Sequence, residues 1–262
     1  MKINWFKYSA PMNFYPLAGK LIPLFWIAAI SLILLGLYWG FFKTADILND
    51  QKQYYRIIYV HVASAWMAMW LYAVMVFWAM LGLIFNTRLS YMLASATAIT
   101  GTVMTVIALA TGAIWGKTSW GTYWDWDPKL TSFLILLFVY IGYIALQSAI
   151  DDKRRSDKAS ALLALVGLAL VPIIYYAVNC PDPTECASLH QESSLKRVES
   201  NILIGMLLTT LGFWMYSFAT TLMRARIIIL ERERSTTWVS KLPEILPEIS
   251  SEKMSSKSET KS

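Results

Sequence analysis

The sequence predicts an all-α polytopic membrane protein, a bundle of six transmembrane helices with both termini in the cytoplasm. Three observations carry that expectation. Of the 262 residues, 56% are hydrophobic and only 15% charged, and the mean hydropathy is +0.47, too apolar for an ordinary soluble domain. Six windows, roughly 21–42, 57–85, 91–114, 130–150, 159–178 and 202–223, are each apolar over about the 20 residues that a bilayer crossing needs. Lys and Arg then divide twelve to seven in favour of the side holding the termini, with the compact Lys153-Arg154-Arg155 cluster there, and positive residues stay inside. The formal charge of +6 is mostly this topology signal and calls for no nucleic acid.

Residues 1–20 form a basic, aromatic lead-in for interfacial anchoring, and Pro11, Pro16 and Pro23 are expected to keep the first helix from extending far toward the cytoplasm. The first apolar run is a full span without a small-residue cleavage pattern, so it is expected to stay. The first outer loop, about 43–56, ends in Tyr54 and Tyr55, which suit a headgroup-level aromatic belt. Span two opens YRIIYVHVASAWMAMWLY and places His61 near its outer end, with the small residues Ser64, Ala65 and Ala68 on the same helical face. Such a histidine either bonds a neighbouring carbonyl at the interface or serves a ligand, and the small side chains leave room for one.

Span three is rich in Ala, Ser, Thr and Gly, with Thr97 and Gly101 at small-xxx-small spacing, and belongs at the packed centre. The connection before it, Asn86 to Arg88, is so short that spans two and three must be antiparallel neighbours. His61 and Trp115 therefore come to the same outer face. After span four, DDKRRSDK reads as a solvated cytoplasmic turn. Span five exits into the last outer loop, 179–200, which holds Cys180, Cys186 and His190. The cysteines form neither CxxC nor CxxCH, so they make no thioredoxin-type pair and no covalent haem attachment site, and in an oxidising compartment a structural disulfide between them fits. Residues 226–262 are a cytoplasmic tail whose low hydrophobicity leaves it without expected structure.

The most informative stretch is Trp115 to Lys129, WGKTSWGTYWDWDPK, expected as a polar loop between spans three and four. Trp115, Trp120, Trp124 and Trp126 either join an interfacial belt or, crowded on one connection, make a surface for something flat. Asp127 followed by Pro128 is a helix N-cap signal; Asp125 with Asp127 would alternatively be a carboxylate pair of the kind hydrolases use. GKT at Gly116–Thr118 is not a phosphate loop, because Thr111 stands where the leading glycine is required. His190 alone reads as a solvated loop histidine. The chain has two histidines, however, and the topology puts both on the outer side. Two imidazoles beside an aromatic platform are the parts a six-coordinate haem needs, with Arg56, Lys117 and Lys129 available to its propionates. A membrane glycan or lipid hydrolase using Asp125 and Asp127, and a non-haem channel or structural subunit with an aromatic vestibule, remain open on residues alone.

WGTYWDW followed by Asp127 resembles the WGxxWxWD signature of tryptophan-rich haem-handling membrane proteins. With the six-span size and the run YRIIYVHV, residues 20–225 resemble the cytochrome c maturation protein C family. The resemblance implies a bacterial inner-membrane protein, not itself an enzyme, that holds haem b non-covalently as cargo at its periplasmic face. His61 and His190 would be the axial ligands. Trp115, Trp120, Trp124, Trp126 and Asp127 are the motif residues, Arg56 is the basic residue before the first histidine, and Lys129 stands where the family pattern has arginine. Implied partners are the ATPase and membrane subunits of an ABC-type transporter, a small single-span subunit and a periplasmic haem chaperone. The haem-handling domain would be 21–225.

Overall fold

The computed structural model describes residues 5–44, 52–177, 190 and 198–242. The elements are α1 (Pro11–Phe42), α2 (Ile58–Phe85), α3 (Arg88–Trp120), α4 (Pro128–Ala149), α5 (Lys153–Gly167), α6 (Leu170–Tyr176), α7 (Ser200–Glu233) and α8 (Thr237–Ser240), with two 3-10 turns before α1 and α2. No strand occurs among the described residues. Six stretches are long and apolar enough to cross a membrane, α5 and α6 counting together as one. The expected all-α six-span bundle is what forms, and an even number of crossings puts both ends of the chain on one side.

The ends of the helices differ from expectation. α1 begins at Pro11 and passes through Pro16 and Pro23. A proline in the first turn lacks only an N–H that would be orphaned anyway, and a spanning helix tolerates inner prolines when its neighbours satisfy the freed backbone. α7 in turn runs to Glu233, and α8 follows, so the first part of the expected tail is folded. Residues 243–262, like Cys180 and Cys186, lie outside the described residues.

α3 is the central rod, packed on α2, α4 and α7, and it is the most buried of the six spans. Its small residues permit this: a Cβ at Gly101 would run into the Tyr140 ring, and the buried Thr97 hydroxyl donates to Leu93 O at 2.8 Å within the helix. α2 turns into α3 through Asn86 in the left-handed region (φ 53°), making them the antiparallel neighbours the short connection requires. α1 lies along α7 and scarcely touches α2. Its Gly36 sits against Thr209 and the Gly205 carbonyl, and Gly212 of α7 against Ile33, the close backbone approach typical of membrane helices.

Pro172 explains the break between α5 and α6. It has no N–H to give Leu168, and its ring crowds that carbonyl. The helix loosens at Leu168, whose N–H bonds Leu165 O at 3.2 Å, and the Tyr72 hydroxyl donates to Ala164 O at 2.8 Å. Tyr54 is exposed, as an interfacial residue should be, but Tyr55 is buried. Its hydroxyl donates to Thr44 O at 2.7 Å, and Thr44 Oγ1 lies 3.1 Å from the hydroxyls of both Tyr55 and Tyr59.

At the end of the bundle holding the termini, the turn after α4 is more than solvated charge. Asp152 caps α5 by accepting from Arg154 N and Arg155 N at 2.9 and 3.2 Å. Asp157 is buried and takes a forked bond from Arg232 of α7 at 2.8 and 2.9 Å, while Arg232 also donates to Gln147 at 3.0 Å. Glu233 is buried as well, bonded by Arg88 at 3.2 Å and by the Trp238 indole at 3.2 Å.

Candidate paired-histidine site

The site lies at the opposite end of the bundle, where α2 begins and α3 ends. A 3-10 turn, Lys52–Ile57, leads into α2 and sets His61 within its first turn. His61 Nδ1 is 3.1 Å from Ala108 O and 3.1 Å from Thr111 Oγ1, both on α3. A carbonyl can only accept, so Nδ1 carries the proton and Nε2 the lone pair. Thr111 directs its own hydroxyl to Ile107 O at 2.6 Å. Room for the ring comes from Gly112, where a Cβ would stand 3.0 Å from His61 Cε1.

These α3 partners were not legible beforehand. The sequence pointed to small residues below His61 on its own helix, whereas the ring turns across to the neighbouring one. The Thr111-Gly112 pair in a span with many similar residues offered no distinguishing signal.

Around His61 stand three of the expected residues. The Trp115 ring meets it edge to face, centres 5.8 Å apart at 89°. The His190 ring centre is 6.2 Å away at 33°. Lys129, in the first turn of α4, places Nζ 3.3 Å from His190 Nδ1; an ammonium can only donate, so in this contact His190 Nδ1 accepts. The structure thus brings together His61, His190, Trp115 and Lys129 from four separate parts of the chain.

The tryptophan stretch is only partly a loop. α3 continues through Trp115 to Trp120 and ends at Gly121, whose φ of 80° suits glycine. The connection is therefore 121–127. Lys117 is engaged in that helix end, donating to Gly121 O at 2.9 Å with its ammonium 5.4 Å from the Tyr123 ring centre. Trp120 packs over Gly116. Trp124 and Trp126 meet edge to face at 5.6 Å, and Trp126 is 74% exposed. Arg56 holds its guanidinium 5.0 Å over the Phe41 ring, in a cleft that has Trp115 as another wall.

Asp127 is the N-cap of α4, with Pro128 following, and its Oδ1 accepts from Leu130 N at 2.7 Å. It is buried, whereas Asp125 is exposed. The two carboxyls do not share an environment as a hydrolytic pair would. Asp127→Ala is expected to lower stability by about 1 kcal/mol through loss of the cap, and Asp127→Asn to preserve it, because asparagine caps as well as aspartate. Thermal unfolding in detergent checks both.

The architecture and this arrangement define a class: a helical, multi-pass membrane protein with two imidazoles beside a tryptophan wall at one end of its bundle. The family model for Heme exporter protein C matches residues 4–240. Heme exporter protein C of Escherichia coli (strain K12) is 39% identical over 235 residues, covering 89% of this chain and 94% of that protein. The Haemophilus influenzae protein of the same name is 34% identical, covering 91% and 97%, and that of Paracoccus denitrificans 36%, covering 86% and 93%. The chain belongs to the Heme exporter protein C family.

Proposed function

We propose that the protein handles haem for cytochrome c maturation by holding it as non-covalent cargo between His61 and His190, on the periplasmic side of a bacterial inner membrane, and passing it to a periplasmic chaperone. The relatives' shared name supports haem as the cargo. The observation that carries the binding mode is the pairing of the two imidazoles.

Metal–imidazole bonds run about 2 Å and a ring centre lies about 1 Å behind its nitrogen, so two imidazoles trans on one metal have centres about 6 Å apart. The 6.2 Å between His61 and His190 fits. Two protein ligands suit iron whose other four donors come from a macrocycle. His61 also has the outer-shell bond typical of a ligating histidine, Nδ1–H to the Ala108 carbonyl, which fixes the tautomer that leaves Nε2 to coordinate.

His190 needs one adjustment. For its Nε2 to bind iron, Nδ1 must hold the proton, and Lys129 must stop donating to it. A propionate supplies Lys129 with a stronger, charge-assisted partner, so the cargo's carboxylate and the freeing of His190 are coupled. Trp115 excludes water beside His61, and the Asp127 cap fixes the start of α4 from which Lys129 projects.

The twelve-to-seven distribution of Lys and Arg supports the orientation. The partners are the ATPase and membrane subunits of an ABC-type transporter and a small single-span subunit, with ATP hydrolysis residing in the partner.

The test is a haemin titration of the detergent-purified protein read in the visible spectrum. A saturable Soret band of six-coordinate, bis-imidazole character is the expected result, and Asp125→Asn should leave it intact. Absence of any Soret shift at saturating haemin ends the proposal, and hydrolysis lost on Asp125→Asn would favour the enzyme reading.

A further inference from the structure

A second cavity borders the histidine site without belonging to it. It is a cleft of ≈ 470 Å³ lined by Leu37 and Phe41 of α1, Arg56, Ile57 and Val60 around the start of α2, and Ile114, Trp115 and Thr118 of α3. That size is within the roughly 300–1,000 Å³ of small-molecule pockets. We propose that this cleft is a lateral door through which haem passes between the paired-histidine site and the adjoining half of the bilayer. The inference rests on the function proposed above and adds the route.

The door is open because of how α1 packs. α1 runs along α7 and meets α2 where Gly40 sits on the Tyr59 ring; beside that contact, where the cleft lies, no helix among the described residues fills the seam between α1 and the α2–α3 pair. Arg56, Tyr54 and Thr118 apart, the cleft walls are apolar side chains, among them the exposed Ile114 at 54% and Phe41 at 39%. With the membrane around the bundle, such a surface meets acyl chains, the medium in which an apolar macrocycle dissolves.

The inner wall joins the cleft to the site. Trp115 lines the cleft and touches His61 edge to face at 5.8 Å, so one ring separates the two spaces. Cargo at this wall is one side chain away from the first ligand.

Charge selects the occupant. Arg56 lies among apolar walls, and its Nε is buried with no hydrogen-bond partner among the described residues. Its guanidinium has the Phe41 ring, at 5.0 Å, where a carboxylate would be the better partner. A flat, mostly apolar dianion satisfies both features: its ring fills the cleft and a propionate meets Arg56. An anionic phospholipid is the competing occupant, with its phosphate on Arg56 and an acyl chain in the cleft.

The experiment uses the full chain in phosphatidylcholine nanodiscs, with haemin delivered from phosphatidylcholine vesicles and the Soret band followed in time. Ile114→Trp and Leu37→Trp fill the cleft from opposite walls without touching the histidines. Each is expected to slow loading about tenfold, an effect on rate, while the final spectrum equals that of the wild type and so certifies an intact site. Loading at the wild-type rate in either variant that reaches the wild-type spectrum overturns the door and leaves the histidine site standing. Phosphatidylglycerol that co-purifies with wild type but not with Arg56→Ala, detected by lipid mass spectrometry, would assign the cleft to lipid and also overturn it. A wild type that never loads brings down the haem reading itself, and the door with it.

Discussion

Replacing His61 with alanine is expected to weaken haem binding at least a hundredfold and to turn the six-coordinate spectrum five-coordinate. Loss of an outer-shell partner alone costs about 10–100-fold in metal affinity, and here a ligand itself is removed. His190→Ala should give the same spectral change with a smaller loss. The asymmetry follows from how each ring is held. His61 stands on a packed helix and is fixed by Ala108 and Thr111 on α3. His190 comes from the connection between α6 and α7 and meets Lys129, whose ammonium can stay beside the cargo's propionate when the ring is lost. His61→Gly with added imidazole should recover the six-coordinate form, because Gly112 leaves space beside the vacated ring. An unchanged Soret band in both alanine variants would show that the iron ligands lie elsewhere.

The second large effect concerns folding. Asp157→Ala is expected to destabilise the protein by about 3–5 kcal/mol, the usual consequence of stranding one partner of a buried ion pair. The side chains of Arg232 and Asp157 are only 16% and 7% exposed, and the guanidinium is forked onto both carboxylate oxygens. Replacing the pair together, Asp157→Leu with Arg232→Met, should restore most of that loss, since no lone charge remains buried. Thermal unfolding of both variants in the same detergent decides it. A single substitution with no shift in midpoint would mean that water reaches the pair and screens it.

Much of the architecture was legible because a bilayer imposes simple rules. The six apolar windows became the six spans, and the short link at Asn86 made α2 and α3 neighbours because two residues permit nothing else. Asp127-Pro128 announced a cap by local chemistry alone. The helix ends were less legible: Pro16 and Pro23 look like breakers in sequence, and only neighbouring helices make them tolerable. Asp157 looked like solvated charge and Glu233 like part of an unstructured tail because their partners Arg232 and Arg88 are 75 and 145 positions away. At the candidate site, the sequence named His61, His190, Trp115 and Lys129, which the fold brings near one another, but not their orientations. His61 reached across to α3, Lys117 turned back to finish its helix, and Trp115 proved to be helical.

α3 is one unbroken helix of 33 residues, about 50 Å long at 1.5 Å per residue. Its first residue, Arg88, is tied to Glu233 at the last turn of α7; its far turns carry Ala108, Thr111, Gly112 and Trp115. A single hydrogen-bonded rod therefore carries both the ion pair at the end of the bundle that holds the termini and, about ten turns away at most, the groups that hold His61.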